Sequence, residues 1–205
     1  VLKGKFNQEN LRAAGTICEA LGFQKDDIIK SLKTVEAPPG RFETVPNTAN
    51  ATIIIDFAHT PDGLETILKE AKLLADKSGG RVLTLFGCGG DRDKGKRPLM
   101  GGIAQRLSDI LILTSDNPRS EDELDIIKDI LTGIQKKDTI KDTITINPDR
   151  KEAIEFLCQQ MRQYDVLVLA GKGHEPYQVL KDKTIDFNDK EEVIKWLKEN
   201  GKLLN

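Results

Sequence analysis

Four stretches of this chain are apolar nearly from end to end, and each runs into a loop rich in glycine, proline or charge: Ala51 to Asp56, Arg81 to Phe86, Asp109 to Thr114 and Asp165 to Ala170. A strand with one wet face alternates apolar and polar residues, whereas an unbroken run is covered on both faces. The intervening segments carry helix-spaced apolar sets. Thr60-Pro61 opens one, with Pro61 at the first helical position and Leu64, Ile67, Leu68, Ala71 and Leu74 along one stripe. Further helices are predicted around 98–107 and 121–134, the latter with Ser120 and Glu123 at capping-box spacing. A weaker strand around 143–146 precedes a helix with Asp149 and Glu152 at the same spacing and Ala153, Phe156 and Leu157 on one face. A short hairpin or edge strand near 177–187 leads to a last helix with Val193, Trp196 and Leu197. This alternation predicts an α/β fold, three-layered with a mostly parallel sheet.

Ahead of that pattern, residues 7–23 carry Leu11, Ala14, Ile17, Cys18 and Leu21 at helical spacing, and a short helix is predicted at 26–33. The segment EAPPGRFE, 36–43, then breaks the pattern: Pro38 and Pro39 stop a helix and Gly40 permits a sharp turn. It reads as a domain junction, with residues 1–39 the end of a preceding domain and 40–205 the α/β domain. The chain opens on Val1 without methionine, inside what reads as a helical segment, and is expected to be part of a longer protein. Its first residues lack the basic start, apolar middle and cleavage signal of a secretory leader, and no apolar run approaches a membrane span.

Lys and Arg total 31 against 33 Asp and Glu, for a net charge of −2, so nothing draws the chain generally to nucleic acid or an anionic membrane. Aromatic residues make up 5%, too few for a base-stacking face. Cys18, Cys88 and Cys158 are odd in number and far apart, which suits free thiols in a reducing cytosol rather than a disulfide framework or a zinc site.

In open parallel sheets, ligands lie beyond the carboxyl ends of the strands. The loops at 56–61, 87–98, 115–120 and 171–176 should therefore converge, and they hold nearly all the unusual polar chemistry. In the first, Asp56 and His59 either reach a ribose or adenine or pair with each other to shape a turn. In Gly87-Cys88-Gly89-Gly90-Asp91-Arg92-Asp93-Lys94-Gly95-Lys96-Arg97-Pro98, glycines allow close backbone approach and Arg92, Lys94, Lys96 and Arg97 supply cationic donors, as an anion site needs; the alternative is a solvated charged turn. No G-x-x-x-x-G-K-[ST] phosphate loop occurs anywhere. Asp116, Asn117 and Arg119 offer an acid, an amide and a guanidinium, which either bind a zwitterion or form an internal salt bridge. In Gly171-Lys172-Gly173-His174-Glu175-Pro176, Glu175 supplies a second acceptor for an ammonium, and His174 has no nucleophile to serve. No cluster has the spacing of a protein-only metal site.

Taken together, PGRFE, DFAHTPDG, FGCGGDRDKGKRPLM, SDNPRSE and AGKGHEPYQ resemble, in that order and over essentially the whole chain, the carboxy-terminal region of the Mur ligase family. Within it they are most similar to the ligases that add the third residue of the peptidoglycan stem peptide. The resemblance implies that residues 1–39 end a central ATPase domain and that 40–205 form the amino-acid-binding domain, Rossmann-like in fold. It implies that Arg92 contacts a carboxylate of the incoming amino acid. Asp116, Asn117, Pro118 and Arg119 match a DNPR motif selecting meso-diaminopimelate, from which lysine-adding relatives depart, notably at the arginine. Gly171 and Glu175 complete that pocket. Arg41, Asp56 and His59 match a segment reaching the nucleotide, and Asn10 resembles an asparagine near adenine. Lys94 and Lys96 serve phosphates or only solvate their loop.

The implied partners are meso-diaminopimelate, UDP-N-acetylmuramoyl-L-alanyl-D-glutamate and ATP with Mg²⁺, in the cytoplasm, with no nucleic acid and no membrane insertion. The implied reaction activates the D-glutamyl carboxylate as an acyl phosphate, which the diaminopimelate amine then attacks. No catalytic residue and no metal ligand is assigned to this chain, and without a phosphate loop it is expected to be inactive alone. A cation at Arg119 has no purpose with lysine, which weighs against a lysine-adding ligase. A non-catalytic amino-acid-binding module is the reading from another class.

Overall fold

The computed structural model describes residues 5–135 and 143–204. Helices α1 (Lys5–Ala20) and α2 (Lys25–Leu32) come first, as the apolar spacing predicts; the expected helical start at Val1–Gly4 lies outside the described residues. Then follow β1 (Glu43–Val45), β2 (Thr52–Asp56), α3 (Pro61–Ser78), β3 (Val82–Phe86), α4 (Lys96–Leu107), β4 (Ile110–Leu113) and α5 (Glu123–Leu131). The chain continues through β5 (Ile144–Ile146), α6 (Arg150–Gln159), β6 (Val166–Ala170), β7 (Tyr177–Val179), β8 (Thr184–Asp186) and α7 (Asp189–Glu199).

The main sheet has the order β1-β2-β6-β3-β4-β5, parallel throughout except for β1. Central β6 pairs with β2 on one side and β3 on the other, and Asp56, Ala170 and Phe86 stand level across the three strands. Phe86 is in turn level with Leu113. The loops leaving these strands therefore start from one line.

Alternate residues of each strand face opposite layers. Ile54, Val168 and Phe86 pack under α3, α4 and α5 with Leu64, Ile67, Met100, Ala104 and Ile126. Ile53, Ile55, Leu83, Leu85, Leu167 and Leu169 pack under α6 and α7 with Ile154, Leu157, Val193 and Leu197. Burying such a side chain contributes about 1.5–3 kcal/mol, which is why these runs cannot occupy an exposed edge. Among the described residues no helix is long and apolar enough to cross a membrane.

Several details differ from expectation. Helix α5 is capped by Asp122, whose side chain accepts from the Leu124 and Asp125 N–H groups, while Ser120 Oγ donates to Asp91 instead. It also ends at Leu131, short of 134. Asp149 caps α6 through the Glu152 N–H, but the return arm of the capping box is absent: the Asp149 N–H donates to Asn147 Oδ1. The antiparallel edge β1 goes beyond the sequence reading, being only three residues long, two half-buried and Val45 buried, with no strand pattern. The segment near 177–187 forms its own two-stranded sheet.

Candidate functional site

The glycines after β3 let two loops lie against each other. A Cβ on Gly87 would sit 2.3 Å from the Thr114 carbonyl oxygen, and one on Gly90 1.8 Å from that of Pro118. With no side chain in the way, the Gly90 N–H donates to the Asn117 carbonyl at 2.9 Å and Arg119 Nη1 donates to the Gly90 carbonyl at 2.7 Å. Arg119 is in the left-handed region at φ 54, unusual for a residue with a Cβ, and its N–H is held by the Val179 carbonyl. Its guanidinium is thus anchored by neutral carbonyls. Among the described residues no carboxylate forms an ion pair with Arg119 or Arg92. The internal salt bridge that could have explained Asp116 with Arg119 is not formed.

The basic cluster of the Gly-rich loop divides. Arg97 is fully buried in the first turn of α4 and forks onto Glu121 and Asp129, so it does not serve an anion site. Lys94 pairs with Glu121 at 3.0 Å, and Lys96 Nζ donates to the His59 carbonyl at 2.8 Å. Arg92 keeps its exposure. Glu121, receiving Arg97, the Asp91 N–H and Lys94, has its carboxyl held down to about 2 from an ordinary 4.5, the Arg97 hydrogen bonds being the first cause. A folded value below the unfolded one contributes stability that is complete above about pH 4.5 and is lost as pH falls toward 2. The melting temperature of Glu121→Gln is therefore expected to fall less steeply across that window than that of the parent. Parallel curves would remove Glu121 from the acid response.

Beneath the loops lies a buried ionic layer. Arg150, the first residue of α6, forks onto Asp189 at 2.8 and 2.7 Å and donates to the Ser115 and Ala170 carbonyls. Lys172 Nζ reaches Asn117, Glu175 and the Tyr177 carbonyl. Burial pushes the Asp116 carboxyl up, against the opposing pull of Arg150 and Lys172. Gln178 donates to the Asp116 carbonyl at 2.8 Å. Cys88 is buried with its Sγ 3.8 Å from Met100 Sδ, and burial pushes its thiol up to about 12.

A cleft of about 450 Å³ opens over this layer, lined by Arg92, Asp116, Asn117, Arg119, Gly171 and Glu175 together with Phe57, His59 and Thr60. All four predicted loops contribute to it. Pro118 stands behind the wall, where its carbonyl abuts Gly90. A second cleft, about 650 Å³, shares Phe57, His59 and Thr60 and brings in Asn10, Arg41 and Asp56 with Asn7 and Leu11 from α1. There Arg41 lies over the Phe57 ring at 5.2 Å, and the His59 ring meets that ring edge-on at 4.6 Å. Asp56 is buried with both oxygens engaged by the Phe42 and Ala58 N–H groups, and His59 Nδ1 contacts the Phe57 carbonyl, so the two side chains do not pair.

Residues 40–173 match the family described as Mur ligase, glutamate ligase domain. The chain belongs to the Mur ligase family. A relative from Geobacillus kaustophilus (strain HTA426), a UDP-N-acetylmuramoyl-L-alanyl-D-glutamate–2,6-diaminopimelate ligase, is 46% identical over 98% of this chain and 40% of its own length. The ligase of the same name from Geobacillus thermodenitrificans (strain NG80-2) is 47% identical over 92% of this chain and 37% of its own. A solved structure of a UDP-N-acetylmuramoyl-L-alanyl-D-glutamate–2,6-diaminopimelate ligase superposes with a TM-score of 0.74 at 37% identity, covering 98% of this chain and 40% of the other. This Mur ligase chain thus spans about two fifths of the length of the curated relatives it matches.

Sequence reasoning passed over Lys172, Arg150, Asp189 and Gln178 as site residues. For Lys172 a signal existed, a lysine bracketed by glycines straight after a buried strand. Arg150 and Asp189 open helices whose first residues carry no sequence signal for burial, and only the fold turns them inward.

Proposed function

We propose that this chain is the amino-acid-receiving part of an ATP-dependent amide ligase of peptidoglycan synthesis, which joins meso-diaminopimelate to UDP-N-acetylmuramoyl-L-alanyl-D-glutamate in the cytoplasm. The observation that carries the proposal is the charge pattern of the smaller cleft. Arg92 and Arg119, free of carboxylate partners among the described residues, face the same space as Asp116 and Glu175. A guanidinium donates two hydrogen bonds to a carboxylate and a carboxylate accepts from an ammonium, so the lining complements a zwitterion with an additional carboxylate. The names borne by the relatives support the same substrate.

In this reading residues 1–39 end the ATPase domain and 40–205 form the amino-acid domain. The cleft holds the diaminopimelate amine against the activated D-glutamyl carboxyl; the amine forms the C–N bond and gives up a proton as phosphate departs. The larger cleft takes the adenosine end of ATP, with the Phe57 and His59 rings, Arg41 and Asn10 as contacts and Asp56 as the brace of its wall. Phosphoryl transfer is assigned to the length of the relatives that this chain does not span. Mg²⁺ is assigned with it, as the ion that would bridge the phosphates. The chain by itself is therefore expected to have no ligase activity.

The test compares meso-diaminopimelate with L-lysine in the intact ligase. Arg119→Ala is expected to raise KM for diaminopimelate about 30-fold, the loss of one charge-assisted pair, while the poor use of lysine hardly changes. Equal use of both amino acids by the parent enzyme, or an unchanged KM in the variant, would overturn the assignment.

A further inference from the structure

The amino-acid cleft rests on a charge that does not reach it. Lys172 directly follows Gly171 at the end of β6, and its side chain is fully buried. Nζ lies 2.6 Å from the Tyr177 carbonyl, 3.1 Å from Glu175 Oε2 and 3.3 Å from Asn117 Oδ1, so each of its three donors has an acceptor. Taking an ammonium out of water is costly, and a neutral side chain would brace a loop at less cost. The charge therefore needs a reason beyond packing.

Two of its three acceptors are side chains that line the cleft. Asn117 Oδ1 receives Lys172 and the Val179 N–H, which settles the amide orientation and leaves Nδ2 to donate to Glu175 Oε2 at 2.9 Å. Glu175 Oε2 thus takes two donors, while Oε1 has no hydrogen-bond partner among the described residues. Lys172 itself is absent from the lining.

We propose that Lys172 is a positioning residue for amino-acid recognition: out of reach of the ligand, it clamps Asn117 and one oxygen of Glu175, so that the other oxygen and Asp116 are left to receive an ammonium group. The inference rests on reading this cleft as the diaminopimelate site. The charges around it sharpen the argument. Asp116 faces Arg150 from α6 and Lys172 as cations, Glu175 and Asp189 as anions, and Arg92 and Arg119 share its cleft. Without Lys172, the buried cation left beside Asp116 is Arg150, already forked onto Asp189. A proton then competes with the ligand's ammonium for the cleft carboxylates, the more so as pH falls.

The experiment uses the intact ligase carrying Lys172→Met, which keeps much of the volume and removes the charge. KM for meso-diaminopimelate is expected to rise roughly 30-fold, with kcat and KM for ATP within about threefold of the parent. With Asp116 and His59 in the same cleft of both proteins, the variant's KM for diaminopimelate should also climb more steeply than the parent's as pH is lowered from about 8 to about 6. An unchanged KM for diaminopimelate, or a loss shared with ATP and flat in pH, would overturn the proposal, because a merely structural lysine behaves so. Should Lys172→Met fail to fold, Lys172→Met with Glu175→Gln removes both partners together. Its KM for diaminopimelate should match that of Glu175→Gln alone within about threefold, and a further loss on the order of tenfold or more refutes the clamp. A parent enzyme that does not use diaminopimelate sinks the functional reading itself, whereas a parent that does, beside an unaffected variant, sinks this inference alone.

Discussion

Asp189→Ala is expected to lower the unfolding free energy of this chain by about 4 kcal/mol, a large share of the 5–15 kcal/mol typical of a domain. Arg150 and Asp189 are both fully buried, and the guanidinium forks onto the carboxylate with two short bonds. Removing the acid leaves the buried cation with the Ser115 and Ala170 carbonyls as its hydrogen-bond partners and only the more distant Asp116 and Glu175 as counter-charges. Those carbonyls belong to the residues just before Asp116 and Gly171, so the same loss should loosen the cleft floor. Urea denaturation of parent and variant measures it. Arg150→Met with Asp189→Leu, which removes both charges, should cost no more than about 1–2 kcal/mol, since an apolar pair replaces a buried ion pair with little penalty. A cost below about 1 kcal/mol for Asp189→Ala alone would show that water reaches the pair.

Gly90→Ala carries the other large effect. The added Cβ would fall 1.8 Å from the Pro118 carbonyl oxygen and 2.7 Å from its carbon, both backbone atoms that cannot swing aside. One of the two loops must move, at an overpacking cost of about 3 kcal/mol. The movement also breaks the register between Gly90 and both Asn117 and Arg119. A displacement of about 1 Å at a positioning group costs on the order of 100-fold, and on the proposed function that rise in KM for diaminopimelate is expected in the intact protein. Gly79→Ala is the control. Gly79 ends α3 at φ 72 with nothing within 4 Å of its would-be Cβ, so only about 1 kcal/mol of backbone strain and no change in KM should follow. If the two glycine variants behave alike, close loop packing is not what Gly90 provides.

Much of the site was legible because the chemistry of parallel sheets is positional. Unbroken apolar runs gave the strands, strand ends gave the loops, and loops after parallel strands share an edge. Arg92, Asp116, Asn117, Arg119, Gly171 and Glu175 accordingly line one cleft. Pro61 and Thr60 marked the start of α3 correctly because a missing N–H and a side-chain acceptor are local properties. Ser120 misled for the same reason: the spacing to Glu123 was right, but Asp122 sat nearer the helix and Asp91 took the hydroxyl from 29 residues away.

What the sequence by itself determined is the order of the main strands and helices and the edge where polar loops meet, since these follow from periodicity and local backbone preference. Only the tertiary structure decided which charges face the cleft. Arg97 and Arg92 stand five positions apart in one basic loop, yet the first is buried against Glu121 and Asp129 and the second is exposed. Lys172 and Arg150 likewise became the floor of the cleft because partners from distant segments met them in a dry interior. A charge's role depends on its counter-charge and its access to water, and both are set by residues that only folding brings within a few ångströms.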